Sequence, residues 1–194
     1  MKAGVLFSGG KDSALAAIML ARDYNVELNT FVFDNDRSVN TVIKAAESLQ
    51  MPLKVRLFPV GLLNRAAEEI IGDGFPNRAI NMVHLEALQQ IAGHYKVIGD
   101  GTRFNDRVPM LGRDGVQRLC DRYSVSYVRP LLGFVKREID RLADKYLVIK
   151  YGETGEIRNG DYESEIRNKI HSLGREPAEF FPGTHRQSLV VGIN

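Results

Sequence analysis

Thiol chemistry is nearly absent from this chain. Its 194 residues include one cysteine, Cys120, which excludes an intrachain disulfide and any metal site built from several cysteines. Persulfide relay between two thiols and an iron–sulfur cluster both need more thiolates than one. Long apolar runs are missing too. None approaches the ~20 residues needed to cross a bilayer, so no membrane partner is expected. Met1 to Phe7 enters a strand-like run directly and lacks signal-peptide anatomy, which makes a cytoplasmic location the expectation. A formal net charge of +2 is too small to argue for a nucleic-acid partner by itself. The four histidines, His84, His94, His171 and His185, show no metal-ligand spacing, and Cys120 between Leu119 and Asp121 reads as a small buried hydrophobe.

What is present is ordinary globular composition, 44% hydrophobic and 26% charged. The length suits one domain with a small C-terminal appendage, and such a domain buries roughly 70% of its unfolded surface. Short apolar runs alternate with helical stretches. Strands are predicted over residues 3–7, 26–33, 53–58, 96–99 and 126–129. Helices are predicted from 14 to 22, 38 to 50, 62 to 71, 78 to 94, around Cys120, and from 134 to 146. Gly72 to Pro76 reads as a loop. This order implies an α/β fold: a doubly wound, mainly parallel five-stranded sheet with helices on both faces. Residues 1–150 form the expected α/β domain and 151–194 a C-terminal extension. Within it Tyr151 to Gly160 is glycine-rich, Asp161 to Leu173 suits a charged helix, and the last twenty residues look irregular.

Ser8-Gly9-Gly10-Lys11-Asp12-Ser13 follows the first strand and opens the first helix, where an open α/β sheet places its anion site. Adjacent glycines let the backbone approach phosphate oxygens, and Ser8, Ser13 and Lys11 add hydroxyls and a cation. The loop is neither a Walker A sequence, since Asp12 follows Gly10-Lys11, nor a dinucleotide fingerprint, since no third glycine follows. A carboxylate at Asp12 would repel a triphosphate unless a divalent cation lay between them, which points to Mg²⁺. A helix cap and a tight turn are the plainer account of the same residues.

These six residues resemble the pyrophosphate loop of the PP-loop ATP pyrophosphatase superfamily, whose members include NAD synthetase, GMP synthetase, asparagine synthetase and several tRNA-modifying enzymes. The resemblance implies an adenine nucleotide alpha hydrolase-like fold, ATP and Mg²⁺ as cofactors, and cleavage of ATP to AMP and pyrophosphate with adenylylation of an acceptor. It places Phe33 and Asp34, at the end of the second strand, beside the base or ribose; turn chemistry alone also explains Asp34, Asn35 and Asp36. The stretch Gly99 to Arg107 is similar to the superfamily's Gly-Thr-Asn-x-Asp-Asp loop. By that likeness Gly101 and Thr102 bind the nucleotide and Asp106 joins Asp12 as a metal contact. The match is partial, because Arg103 replaces the usual Asn and Asn105 replaces one acid. Arg129-Pro130-Leu131-Leu132 with Lys136-Arg137-Glu138-Ile139 resembles the family's proline-leucine turn and Lys-x-Glu-Ile helix start. Lys136 there would add charge to the helix's positive end, or stand solvated.

Lys11, Asp12, Asp106 and Lys136 are thus the candidate catalytic residues. Thiolating members carry a cysteine pair before the helix leading to the fourth strand, yet Phe75 to Asn81 contains none. That favours attack by nitrogen on an adenylylated carbonyl or amide oxygen, as in a ligase. A tRNA-modifying enzyme and a non-catalytic ATP sensor are the alternatives. The partners are ATP and an unidentified acceptor (small molecule, protein or tRNA), with a homodimer left open. Glu153 to Glu163 resembles the Gly-Glu-Tyr stretch of diphthamide-synthesising PP-loop enzymes, and a glycine turn before a charged helix accounts for it equally.

Overall fold

A computed structural model describes residues 1–153, 156–182 and 186–194. Thr154, Gly155 and His185 of the sequence reading lie outside them. Five strands form a parallel sheet: β1 (Lys2–Leu6), β2 (Asn25–Val32), β3 (Leu53–Leu57), β4 (Val97–Gly99) and β5 (Ser126–Val128), in the order β3-β2-β1-β4-β5. This is the doubly wound α/β sheet expected from the sequence. Burial follows strand position. The central β1 and β2 are enclosed, β2 burying Glu27, Asn29 and Thr30 beside its apolar residues, whereas Val55 and Leu57 on the edge strand β3 face outward.

Helices cover both faces. On one side α1 (Lys11–Leu20), α2 (Asn40–Ser48) and α6 (Lys136–Tyr146) bury Leu15, Val42 and Ile139 against Val5 and Leu28. On the other, α3 (Leu62–Asp73), α4 (Asn77–Ala92), α5 (Arg113–Tyr123) and α7 (Glu163–Ser172) enclose Ile70, Leu88, Leu119 and Ile166 around Phe31 and Ile98. Gly72 and Asp73, read as loop, continue α3 by most of a turn. Gly74 then stops the helix in the left-handed region at φ 79°.

The last twenty residues, expected to be irregular, hold a single 3₁₀ turn and a strand among the described residues. Residues β6 (Leu147–Glu153) and β7 (Arg186–Ile193) pair antiparallel, with Leu147 opposite Ile193 and Glu153 opposite Arg186. Leu189 and Val190 of β7 face the layer formed by α1 and α2, and Val190 N–H donates to Gly9 O at 2.8 Å. The C-terminal segment therefore lies against the glycine turn at the other end of the chain. No helix among the described residues is long and apolar enough to cross a membrane.

Candidate functional site

The chain runs outward from β1 through β2 to β3, then returns to β4 on the other side of β1. That reversal lies at the carboxyl ends of β1 and β4, where such sheets usually place their ligand crevice. Ser8–Ser13 forms one wall and the loop after β4 the other.

The turn is held by its own serines. Ser13 Oγ donates to Gly10 O at 3.0 Å and accepts from Ser8 N–H at 3.3 Å, while Gly10 N–H donates to Ser8 Oγ at 3.3 Å. Gly9 has φ 81°, a conformation a side chain would strain. Three N–H groups of the first turn of α1 have no intrahelical acceptor. Lys11 N–H finds Ser188 Oγ of β7 at 3.1 Å, and the Ser13 nitrogen lies against Gly101.

Charged side chains from three elements meet here. Lys11, only 7% exposed, sets its Nζ 2.8 Å from Asp12 Oδ1 and 3.5 Å from Asp140 Oδ1. The other Asp12 oxygen lies 3.5 Å from Arg103 Nε, and Arg103 donates to Asp106 through both its backbone N–H, at 2.8 Å, and its guanidinium. Asp140 also pairs with Lys136 one helical turn away. Asp106, Arg103, Asp12, Lys11, Asp140 and Lys136 thus form one alternating series of cations and carboxylates. It joins all four catalytic candidates and adds Arg103 and Asp140, which sequence reasoning did not select. Burial alone would lower Arg103 and raise Asp140. The hydrogen bond and charge of Asp106 with the charge of Asp12 instead hold Arg103 high, and Lys136 with Lys11 hold Asp140 below the usual carboxylate range.

Gly101 explains how close these walls stand. A Cβ there would fall 2.7 Å from Asp12 C and Ser13 N, so only glycine lets the β4 loop rest on the first turn of α1. Thr102 is buried and gives its N–H to Asp100 Oδ1 at 3.0 Å. Asp100 also accepts from Tyr127 and bonds His84 Nε2 at 2.7 Å, forming a buried polar knot behind the loop. Burial pushes Asp100 up, but His84 and Tyr127 outweigh it and hold the carboxyl low; burial and the neighbouring Asp100 charge push the Tyr127 phenol up. Arg129 donates to Leu111 O at 3.0 Å and stacks over Tyr127, which braces the loop after β4.

Phe33 N–H, expected beside the base, donates to Glu165 Oε1 of α7 at 3.1 Å. Asp34 accepts from Asp36 N–H at 3.1 Å, the turn role its residue type explains. A shallow pocket of about 300 Å³ opens beside Phe33 and Phe58. A second, of about 350 Å³ near Tyr95 and Lys96, lies at the start of β4, the opposite edge from the glycine turn. Cys120 is a half-buried free thiol on α5.

Glycines, hydroxyls, cations and the carboxylates of Asp12 and Asp106 are the residue types a magnesium nucleotide needs, with both carboxylates here paired to Arg103. A Cβ at Gly10 would meet Ser8 Oγ at 3.3 Å and Ser188 O and Oγ at 3.5 Å, so the turn is closely packed against β7 there. Among the described residues no group of three or more His, Cys, Asp or Glu is arranged around one point. Mg²⁺ needs no such cage, because one or two carboxylates with phosphate oxygens and water suffice.

A sequence model for a family of unknown function (DUF7411) matches residues 1–192. An uncharacterized protein of Methanocaldococcus jannaschii is 36% identical over 194 residues, covering 100% of this chain and 96% of that one. A crystal structure from the same organism, described as a predicted subunit of tRNA methyltransferase, is 35% identical with a TM-score of 0.91, over 100% of this chain and 98% of its own. NH3-dependent NAD synthetase from Campylobacter jejuni is 16% identical with a TM-score of 0.47, over 74% of this chain and 62% of its own, too remote a likeness to bear on the argument.

Proposed function

The chain belongs to the family of unknown function DUF7411, and for it we propose an ATP pyrophosphatase-type activity of the PP-loop kind. The observation that carries this reading is the charge series Asp106–Arg103–Asp12–Lys11–Asp140–Lys136 wrapped around a glycine turn at the switch point of the sheet. In this reading Gly9, Gly10, Ser8 and Ser13 cradle the β- and γ-phosphates, and Gly101 and Thr102 hold the β4 loop against them. Phe33 and Asp34 lie on the base side. Mg²⁺, held by Asp12 and Asp106, neutralises phosphate charge when bound.

An acceptor oxygen, from a carbonyl or amide, attacks the α-phosphorus. The bond from that phosphorus to the α–β bridging oxygen breaks, and its electron pair leaves with pyrophosphate. Lys11, Arg103 and Lys136 stabilise the departing charge, the kind of electrostatic assistance that dominates such transfers. A nitrogen nucleophile then displaces AMP from the activated carbon. Residues 1–150 are assigned to nucleotide binding and 151–194 to the acceptor side, supported by the contact of Ser188 with the turn.

A tRNA-modifying role is the second reading. The 35%-identical relative described as a predicted tRNA methyltransferase subunit favours it, as do Phe104, 66% exposed, and the neighbouring exposed Arg107.

The test is product analysis. Incubation with ATP, Mg²⁺ and candidate acceptors should release AMP and pyrophosphate, and labelled pyrophosphate should exchange into ATP. ADP and phosphate as products would remove the reading. ATP binding without exchange under any acceptor would leave a sensor.

A further inference from the structure

The crevice edge above β2 is already filled by the chain itself. Residues 158–165 cross the carboxyl ends of β1 and β2 and take up the polar groups found there. Glu165 accepts the Phe33 N–H, and Gly160 N–H donates to Ser8 O at 2.7 Å. Arg37, on the turn after β2, fastens the crossing. Its guanidinium pairs with Glu165 and donates to Asn159 O at 3.0 Å, Asp161 O at 3.2 Å and Ser164 Oγ at 3.0 Å. Thr41 at the start of α2 adds a bond to Arg158 O. Beneath this cover Thr30 Oγ1, 1% exposed, has no partner among the described residues. A buried hydroxyl without an acceptor is costly, and one beside a ligand crevice marks a contact not yet made.

We propose that residues 158–165 act as an intramolecular strap that competes with the nucleotide for the β2 edge of the crevice, with the Glu165 carboxylate standing where a ligand acceptor atom would meet the Phe33 amide. This rests on the nucleotide reading of Ser8–Ser13. Besides Arg37 and Thr41, Gln187 bonds Asp161 and the Tyr162 ring packs against Phe58 and His84, so displacing the strap exchanges polar contacts for ligand contacts at the cost of unseating one aromatic ring. Ile166 and Ile170, buried on the next turns of α7, anchor its far end. The protein then binds nucleotide only in the fraction of molecules whose strap is displaced, and the apparent affinity falls by that fraction.

Titration calorimetry tests this with two probes in Mg²⁺: the non-cleavable analogue α,β-methylene-ATP, and inorganic pyrophosphate, which needs the turn but not the base edge. Glu165→Ala should bind the analogue about tenfold more tightly than the wild type, the scale of one charge-assisted hydrogen bond, with pyrophosphate affinity unchanged. Analogue binding that is unchanged or weaker, with pyrophosphate still bound, overturns the strap and leaves the phosphate turn standing. Failure of the wild type to bind pyrophosphate overturns both. Hydrogen–deuterium exchange on the unaltered chain gives a second measure should Glu165→Ala not fold. Residues 158–165 should exchange faster when the analogue binds, and slower or unchanged exchange refutes the strap.

Discussion

Replacing Gly101 with alanine adds one methyl group at the contact between the β4 loop and the first turn of α1. That methyl would sit 2.7 Å from Asp12 C and Ser13 N and 2.9 Å from Asp12 O. These are backbone atoms that cannot rotate away, so the two walls must separate by at least about half an ångström to reach ordinary contact. Overpacking of this kind costs about 1–3 kcal/mol, or roughly 2–12 °C of melting temperature for a chain of this size. Function should suffer more than stability. Asp12 moves away from Arg103, and a displacement near 1 Å at a reacting centre can cost about a hundredfold in rate. Thermal melts and pyrophosphate–ATP exchange on Gly101→Ala measure both effects. Gly133→Ala is the control, since a Cβ there meets nothing within 4 Å, and its stability should stay within about 0.5 kcal/mol. If the two variants melt together and Gly101→Ala exchanges label at the wild-type rate, the walls do not touch as described and the reasoning fails.

Asp12→Asn should abolish AMP formation while leaving the melting temperature nearly unchanged, because Asp12 is a partly exposed partner of Lys11 and Arg103; a melt that collapses instead would make the residue structural. Asp140→Asn frees Lys11 and Lys136 from a competing carboxylate, so pyrophosphate should bind about threefold more tightly at low salt and lose that gain at high salt. Weaker binding would show that Asp140 orients the lysines. Asp100, depressed below its usual value, contributes stability that is present above its unfolded pKa and lost as pH falls through its folded pKa. Asp100→Asn should therefore flatten the acid limb of stability below about pH 4 and cost about 1.5–3 kcal/mol at pH 7, both read by urea denaturation across pH. An acid limb as steep as that of the wild type would contradict the assignment.

The sheet was legible because its five strands are short apolar runs separated by helices of ordinary periodicity. Lys11 and Asp12 could be placed before any coordinates because they follow the carboxyl end of the first strand, where such sheets hold anions, and Asp106 and Lys136 were added through the family resemblance. Asp140 was within reach of the same logic, four residues beyond Lys136 on a helix already identified. Ser188 and Glu165 were not. Ser188 bonds an amide 177 positions away and Glu165 one 132 positions away, and no periodicity encodes such a pairing. β7 went unread because the proline and glycine content from Glu176 to Gly183 reads as irregular chain, while its partner β6 begins at Leu147, directly where α6 ends, with no turn residue to mark it.

The clasp of Ser188 and Val190 on the turn after β1 has a consequence for how the molecule comes into being. The glycine turn is translated well before β7, yet its backbone is held by residues more than 170 positions later. Contacts of such sequence separation close late, after local helices and neighbouring strands have formed. A chain halted before β7 would carry the whole Ser8–Ser13 motif without the contacts that hold its backbone, so on the proposed reading capture of nucleotide reports that β7 has docked.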